Sequence, residues 1–71
     1  METQFKLLDV VAILKNIPEE KLIVGQVGTI VEVLNENNFE VEFCDTKGRT
    51  IVLIPLEKKD MMLLHYEVEY A

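Results

Sequence analysis

Cysteine and histidine are almost missing from this chain, whose 71 residues contain one of each, Cys44 and His65. A single cysteine cannot form an internal disulfide, and the two residues together are too few for a cysteine/histidine zinc site. The thiol also has no histidine near it in sequence to activate it as a nucleophile. We therefore expect no metal, no cofactor, no enzymatic activity and a reduced thiol, as is usual in the cytoplasm.

Basic residues are also scarce, with seven lysines and arginines against thirteen aspartates and glutamates, for a net charge of −6. Proteins that bind nucleic acids normally carry basic patches that neutralise phosphates, so we do not expect a nucleic-acid ligand. An acidic domain of this kind is better suited to a basic protein partner.

Long apolar runs are missing as well. No segment approaches the roughly 20 apolar residues that cross a bilayer. The amino-terminal segment METQFKLLDVVAILKN is interrupted by Asp9 and has no basic region before it, so we expect no signal peptide. Hydrophobic residues make up 49% of the chain, which is too many for disorder. We expect one small cytoplasmic domain without a membrane segment.

What the chain does contain is a series of short β-rich segments. We predict strands over residues 7–15, 27–34, 39–43, 49–56 and 61–65. The clearest is FEVEF, in which Phe39, Val41 and Phe43 alternate with Glu40 and Glu42. Strict alternation is typical of an antiparallel strand with one buried face.

Turn residues separate these segments. Residues 16–26 form a long loop in which Pro18 precedes a possible helical turn, and residues 35–38 and 44–48 form tight turns, the second with Gly48 at a positive φ. Residues 57–60 form a single helical turn before the last strand, and Pro55 marks a strand end or a sheet edge. The order of parts predicts an all-β fold, a small SH3-like barrel of five short antiparallel strands. The predicted core is Val11, Ile13, Ile30, Val33, Phe39, Val41, Phe43, Ile51, Leu53, Met62 and Leu64.

Two glycines three residues apart open the second strand, in VGQVGTIVEVL. A phosphate-binding glycine loop leads into a helix, whereas Gly25 and Gly28 lead into a strand, so we assign them structural roles. Gly25 supplies a turn, and Gly28 allows a close backbone approach or begins a bulge. A bulge near Val31 would let both Ile30 and Val33 point inward.

Acidic residues form the first candidate partner surface. Glu32, Glu40 and Glu42 share the outer face if strands two and three pair, and on an open face they stay solvated and do not act as an acid–base pair. Glu19 and Glu20 lie on the long first loop, which in SH3-like barrels commonly borders the ligand groove.

Apolar and aromatic residues form the second candidate surface. Val52 and Ile54 belong to a surplus of apolar side chains that so small a barrel cannot bury. Exposed apolar patches are typical of interfaces, and the alternative is that the C-terminal tail covers them. Tyr66, Val68 and Tyr70 alternate with glutamates, so residues 66–71 form either a sixth strand or a tail that orders on a partner. We place the barrel at residues 1–65, and pairing of the C-terminal strand with that of a second copy would give a homo-oligomer.

The segments GQVGTIVEVL, FEVEF and GRTIVLIPL resemble a KOW-type SH3-like module. Residues 6–64 also resemble an uncharacterised family of small bacterial domains, common in cyanobacteria, whose signature includes Asp-Val-Val, Ile-Pro-Glu-Glu, Gly-x-x-Gly-Thr-Ile-Val-Glu-Val and Gly-Arg-Thr. The resemblance implies an SH3-like barrel without catalytic residues. Members often resemble the small partner in a two-gene arrangement, which implies an antitoxin-like or immunity-like role.

The sequence thus predicts a non-catalytic protein-binding module, with the product of a neighbouring gene as one possible partner. The alternative is a KOW-type RNA- or ribosome-associated module. An enzyme is not expected, because no nucleophile, base and metal set is assembled in the sequence.

Overall fold

The computed structural model describes residues 4–65, 67 and 68, which contain one five-stranded antiparallel sheet. Its strands are β1 (Val10–Ile13), β2 (Val27–Val33), β3 (Asn38–Cys44), β4 (Thr50–Glu57) and β5 (Met61–Leu63). The spatial order is β4-β3-β2-β1-β5, so the sheet is open, with β4 and β5 at its edges. Two 3-10 turns, Pro18–Glu20 and Lys58–Asp60, lie in the first loop and before β5. The all-β class, the five strands and the turn before the last strand are as predicted.

The core lies on one face of this sheet. In β3, Phe39, Val41 and Phe43 are buried, while Glu40 and Glu42 between them are only partly buried. The core cluster consists of Val11, Ile13, Ile17, Leu22, Ile30, Phe39, Val41, Phe43, Val52, Leu56 and Met61. Alternation in β3 therefore identified the buried face correctly, because a strand sends successive side chains to opposite faces.

The first strand is shorter than predicted. Residues before it form a turn in which the Asp9 amide donates to the Lys6 carbonyl at 3.0 Å, and the Lys6 amide donates to Asp9 Oδ2 at 2.8 Å. Leu8 in this turn has a φ of 72°, which a strand residue does not adopt. The prediction from residue 7 overlooked that an aspartate can bond a backbone amide near it and hold a turn.

The predicted bulge in β2 is confirmed. Ile30 pairs with Val41 and Glu32 pairs with Glu40, which leaves Val31 as the extra residue. Val33 then pairs with Phe39 and so faces the core side, as predicted. It is nevertheless 48% exposed, because it is the last residue of β2 and lies at the margin of the core. The prediction of Val33 as a core residue was therefore wrong.

Gly28 in β2 lies very close to β3. A Cβ atom built there would lie 2.8 Å from side-chain atoms of Phe43 and Val41 and 2.9 Å from the carbonyl oxygen of Glu42. Real Cβ atoms do not make such contacts, so only glycine fits. Gly25 has a φ of 94° and supplies the predicted turn.

The predicted inward face of β4 was wrong. Val52, Ile54 and Leu56 pair with the core residues Phe43, Val41 and Phe39 of β3, and directly paired residues share a face of the sheet. Val52 is therefore 8% exposed, which corrects its prediction as a surface residue. Ile51 and Leu53, predicted as core residues, are exposed. The run is apolar on both faces, so alternation could not decide between them.

The same error of one residue affects β5. Met61, which pairs with Ile13, is 3% exposed and enters the core, whereas Met62, which pairs with Ala12, is 50% exposed. Leu64, also predicted as a core residue, is only partly buried.

Most of the predicted C-terminal strand lies outside the described residues, including Tyr66 and Tyr70. Val68 is described; it is exposed and belongs to no strand. In the described part of the chain, no helix has the length and apolar character needed to span a membrane.

Candidate binding groove

The loop between β1 and β2 is closed on itself by a short antiparallel bridge. Ile17 and Leu22 exchange backbone hydrogen bonds of 2.9 and 3.1 Å, and both side chains are buried. Between them Pro18 begins a 3-10 turn, where its fixed φ and missing N–H are tolerated. The two buried side chains hold the tip of the loop, with Glu19 and Glu20, close to the sheet.

A groove of about 500 Å³ separates this loop from β4 and the second 3-10 turn. Residues 54–57 of β4 all line it. Because successive strand residues point to opposite faces, four consecutive lining residues mean that the groove follows the edge of the strand. β4 is an edge strand of the sheet, and Asn38 of β3, the direct partner of Glu57, also lines the groove.

The groove combines an apolar floor with an acidic rim. Ile54 is half-buried and packs on the core, and Pro55 lies beside it. Four carboxylates and one ammonium group line the groove, for a formal net charge of −3. The carboxylates belong to Glu19, Glu20, Glu57 and Asp60, and the ammonium group to Lys15.

Two of these carboxylates already hold lysines of the chain itself. Lys15 Nζ lies 3.2 Å from Asp60 Oδ2, and the Asp60 side chain is only 15% exposed. Lys59 Nζ lies 3.4 Å from Glu57 Oε2, where both side chains are exposed. Within the described residues, the ion pairs do not include Glu19 or Glu20.

A second acidic surface lies on the outer face of the sheet, across β2 and β3. Glu32 and Glu40 are direct cross-strand partners, and Glu42 lies two residues along the same face from Glu40. The Glu42 carboxylate accepts a hydrogen bond of 2.6 Å from the Thr50 hydroxyl. The predicted sharing of one face by Glu32, Glu40 and Glu42 is therefore confirmed.

Cys44 lies beside this second surface. Protein atoms around its sulfur displace water, and the Glu42 carboxylate, 3.5 Å from Sγ, adds a hydrogen bond and a like charge that oppose ionisation. These effects raise the pKa of Cys44, so the protonated thiol is favoured over the reactive thiolate.

The hairpin between β3 and β4 is organised by Asp45. Its carboxylate accepts backbone amides from Arg49 at 3.0 Å and Lys47 at 2.8 Å, and the Arg49 guanidinium at 2.8 Å. The backbone bond from Arg49 contributes most to lowering the pKa of Asp45. Gly48 in this hairpin has a φ of 78°, as predicted.

Across residues 4–65 with 67 and 68, no three histidine, cysteine, aspartate or glutamate side chains are grouped closely enough to hold a metal ion.

A family model described as Domain of unknown function (DUF4926) matches residues 7–63. The chain belongs to the DUF4926 family. This agrees with its resemblance to a family of small uncharacterised domains. No curated protein and no solved structure matches this chain.

The structure of this DUF4926 domain separates the predicted binding residues into different places. Glu19 and Glu20 line the groove, as the loop position predicted, and Ile54 contributes to its floor. Glu32, Glu40 and Glu42 lie on the outer face and do not line the groove. Val52 is in the core, Val68 is exposed, and Tyr66 and Tyr70 lie outside the described residues.

The opposite wall of the groove was not predicted from the sequence; it is formed by Pro55, Glu57 and Asp60 with Lys15. The signal was available, because Pro55 and the EKKD turn directly follow the apolar part of β4. The sequence did not reveal that β5 pairs with β1. This pairing places the turn before β5 next to the loop between β1 and β2.

Proposed function

We propose that this DUF4926 domain is a non-catalytic protein-binding module whose groove receives an extended partner segment carrying lysine or arginine. The observation that carries the proposal is the placement of Glu19 and Glu20 opposite the edge of β4, across an apolar floor. Apolar contact supplies binding energy, and the acidic rim selects cationic side chains and accelerates encounter.

The groove favours recognition through side chains over addition of a strand to β4. The β3–β4 register shifts between Phe43 and Cys44, which leaves Ile51 without a partner, and Pro55 has no backbone donor. Both features interrupt the regular hydrogen bonds that an added strand needs. Proline-rich ligands bind grooves lined by aromatic side chains. Among the described residues that line this groove there is no aromatic side chain, so we do not expect a proline-rich ligand.

The family resemblance and the SH3-like order of elements support a narrower proposal, in which the partner is the product of a neighbouring gene and the domain is antitoxin-like or immunity-like. The acidic groove supports a partner with a basic contact surface. A bacterial, cytoplasmic setting belongs to the same proposal.

The test is co-expression of the full chain with its genomic neighbour, followed by co-purification and size-exclusion chromatography. We expect a complex that the double variant Glu19→Lys, Glu20→Lys does not form. The double variant Glu32→Lys, Glu36→Lys is the matched control, because it makes the same change of charge outside the groove and should leave the complex intact.

Two outcomes would contradict the proposal. The neighbour could elute separately from the wild-type chain at micromolar concentrations. Tight, salt-sensitive RNA binding in a gel-shift assay at low salt would instead favour the KOW-type RNA-associated alternative.

A further inference from the structure

The two walls of the groove differ in how their carboxylates are neutralised. On the wall formed by β4 and the second turn, Asp60 binds Lys15 at 3.2 Å and Glu57 binds Lys59 at 3.4 Å. On the loop wall, Glu19 and Glu20 take part in none of the ion pairs of the described residues. An arriving cation therefore meets an uncompensated charge on one wall only.

Lys15 is the cationic side chain that a ligand in the groove would meet, because it lines the groove. Its ammonium group lines the groove and its side chain is 55% exposed, so it can move towards solvent without breaking the core. Asp60, its partner, is mostly covered by protein and is held by the fold, because its carbonyl also accepts the Leu14 amide at 2.9 Å. The covered carboxylate of Asp60 and the exposed ammonium group of Lys15 therefore form a cation site that the chain fills with its own lysine.

We infer that Lys15 is an internal competitor that sets the specificity of the groove. It neutralises Asp60, directs the partner's cationic side chain to Glu19 and Glu20, and repels a second cation on the β4 wall. This inference rests on the proposed function, since it assigns roles within the same groove. It identifies the preferred ligand as a segment with one cationic residue beside an apolar residue.

The effect of removing the Lys15 ammonium group on stability and on binding depends on how exposed the Lys15–Asp60 ion pair is. The Lys15 side chain is 55% exposed, so removing it should leave the fold intact, although Asp60, which is 15% exposed, loses its counter-charge and the domain loses some stability. Removing the ammonium group also removes a like charge from the path of a cationic ligand and frees Asp60. At moderate salt we expect cationic ligands to bind about threefold tighter.

The experiment measures fluorescence anisotropy of two labelled synthetic peptides binding to the full chain. One peptide carries a single lysine beside a valine, and the other carries a lysine on each side of the valine. Lys15→Met should tighten binding of the two-lysine peptide about threefold and steepen its salt dependence, with a smaller change for the one-lysine peptide.

Two control variants make the result specific. Lys15→Arg retains the cation and should bind both peptides as the wild type does. Lys47→Met makes the same charge change in the β3–β4 hairpin, away from the groove. It should tighten the binding of both peptides by less than Lys15→Met does, because it changes only the net charge of the protein. Backbone amide spectra of each variant verify the fold.

The outcomes separate the inference from the proposed function. If the wild-type chain binds the peptides, Glu19→Lys weakens binding, and Lys15→Met changes neither affinity, the inference is wrong and the proposed function stands. If the wild-type chain binds neither peptide at low salt, both are wrong. Equal tightening by Lys15→Met and Lys47→Met would also overturn the inference.

Discussion

Glu32 lies directly opposite Glu40 across the β2–β3 ladder. Like charges in directly opposed positions destabilise an antiparallel sheet, because the two side chains stand close together on one face. The chain tolerates this repulsion on its outer surface, next to a bulge that already interrupts the ladder at Val31.

The first prediction concerns this pair. Glu32→Lys replaces repulsion with attraction and should increase the free energy of unfolding by about 0.5 kcal/mol. Urea denaturation at low salt measures the change, and added salt should reduce it. Glu36→Lys, an equal charge change in the β2–β3 turn, should produce a smaller gain. Equal gains from the two variants would show that net charge, and not the cross-strand pair, is responsible.

The second prediction concerns Gly28. Gly28→Ala forces a Cβ atom against the Glu42 carbonyl oxygen, which cannot move without disturbing the ladder, and should destabilise the domain by about 2 kcal/mol. Gly25→Ala meets no atom within 4 Å and is opposed only by its positive φ, so it should cost about 1 kcal/mol. Urea unfolding compares the two variants. A smaller effect at Gly28 than at Gly25 would contradict the close approach.

The third prediction tests which face of β4 is buried. Val52→Ala removes buried methyl groups and should destabilise the domain by about 2 kcal/mol, whereas Leu53→Ala should cost less than about 1 kcal/mol although it removes more atoms. The physical reason is exposure, which is 8% for Val52 and 53% for Leu53. Thermal and urea unfolding measure both, and the reverse ranking would mean that the register is shifted by one residue.

The fourth prediction is a pH dependence centred on Asp45. Its pKa is lowered in the folded protein, so the carboxylate contributes stability above its ordinary pKa of 3.8, and this contribution is lost as the pH falls through the lowered folded value. Asp45→Asn should therefore reduce stability at neutral pH and narrow its gap from the wild type in strong acid. Urea midpoints across this pH range measure the effect. A gap that stays constant in acid would contradict it.

The parts of the fold that sequence predicted well are those with a strong local signal. Strict alternation in β3 fixed its buried face, and Gly25 and Gly48 marked turns that need a positive φ. The bulge at Val31 followed from the need to turn both Ile30 and Val33 towards the core side.

The errors in β4 and β5 fall where both faces of the strand are apolar in sequence. In β4 the run from Ile51 to Ile54 is apolar on both faces, so only its register with β3 decides that Val52 is buried. Only one wall of the groove was predicted from the sequence, because the other wall depends on strand pairing. Glu19 and Glu20 lie on a recognisable loop, whereas Asp60 joins them only through the pairing of β5 with β1.

The edges of the open sheet bear on how the protein behaves when concentrated. Among the described residues, β5 offers a margin of only three residues, and β4 is broken by the unpaired Ile51 and by Pro55. Fibrils grow when a molecule presents an unbroken margin on which identical copies can stack in register. These interruptions disfavour the stacking of identical chains along β4, even though Ile51 and Leu53 on that strand are exposed.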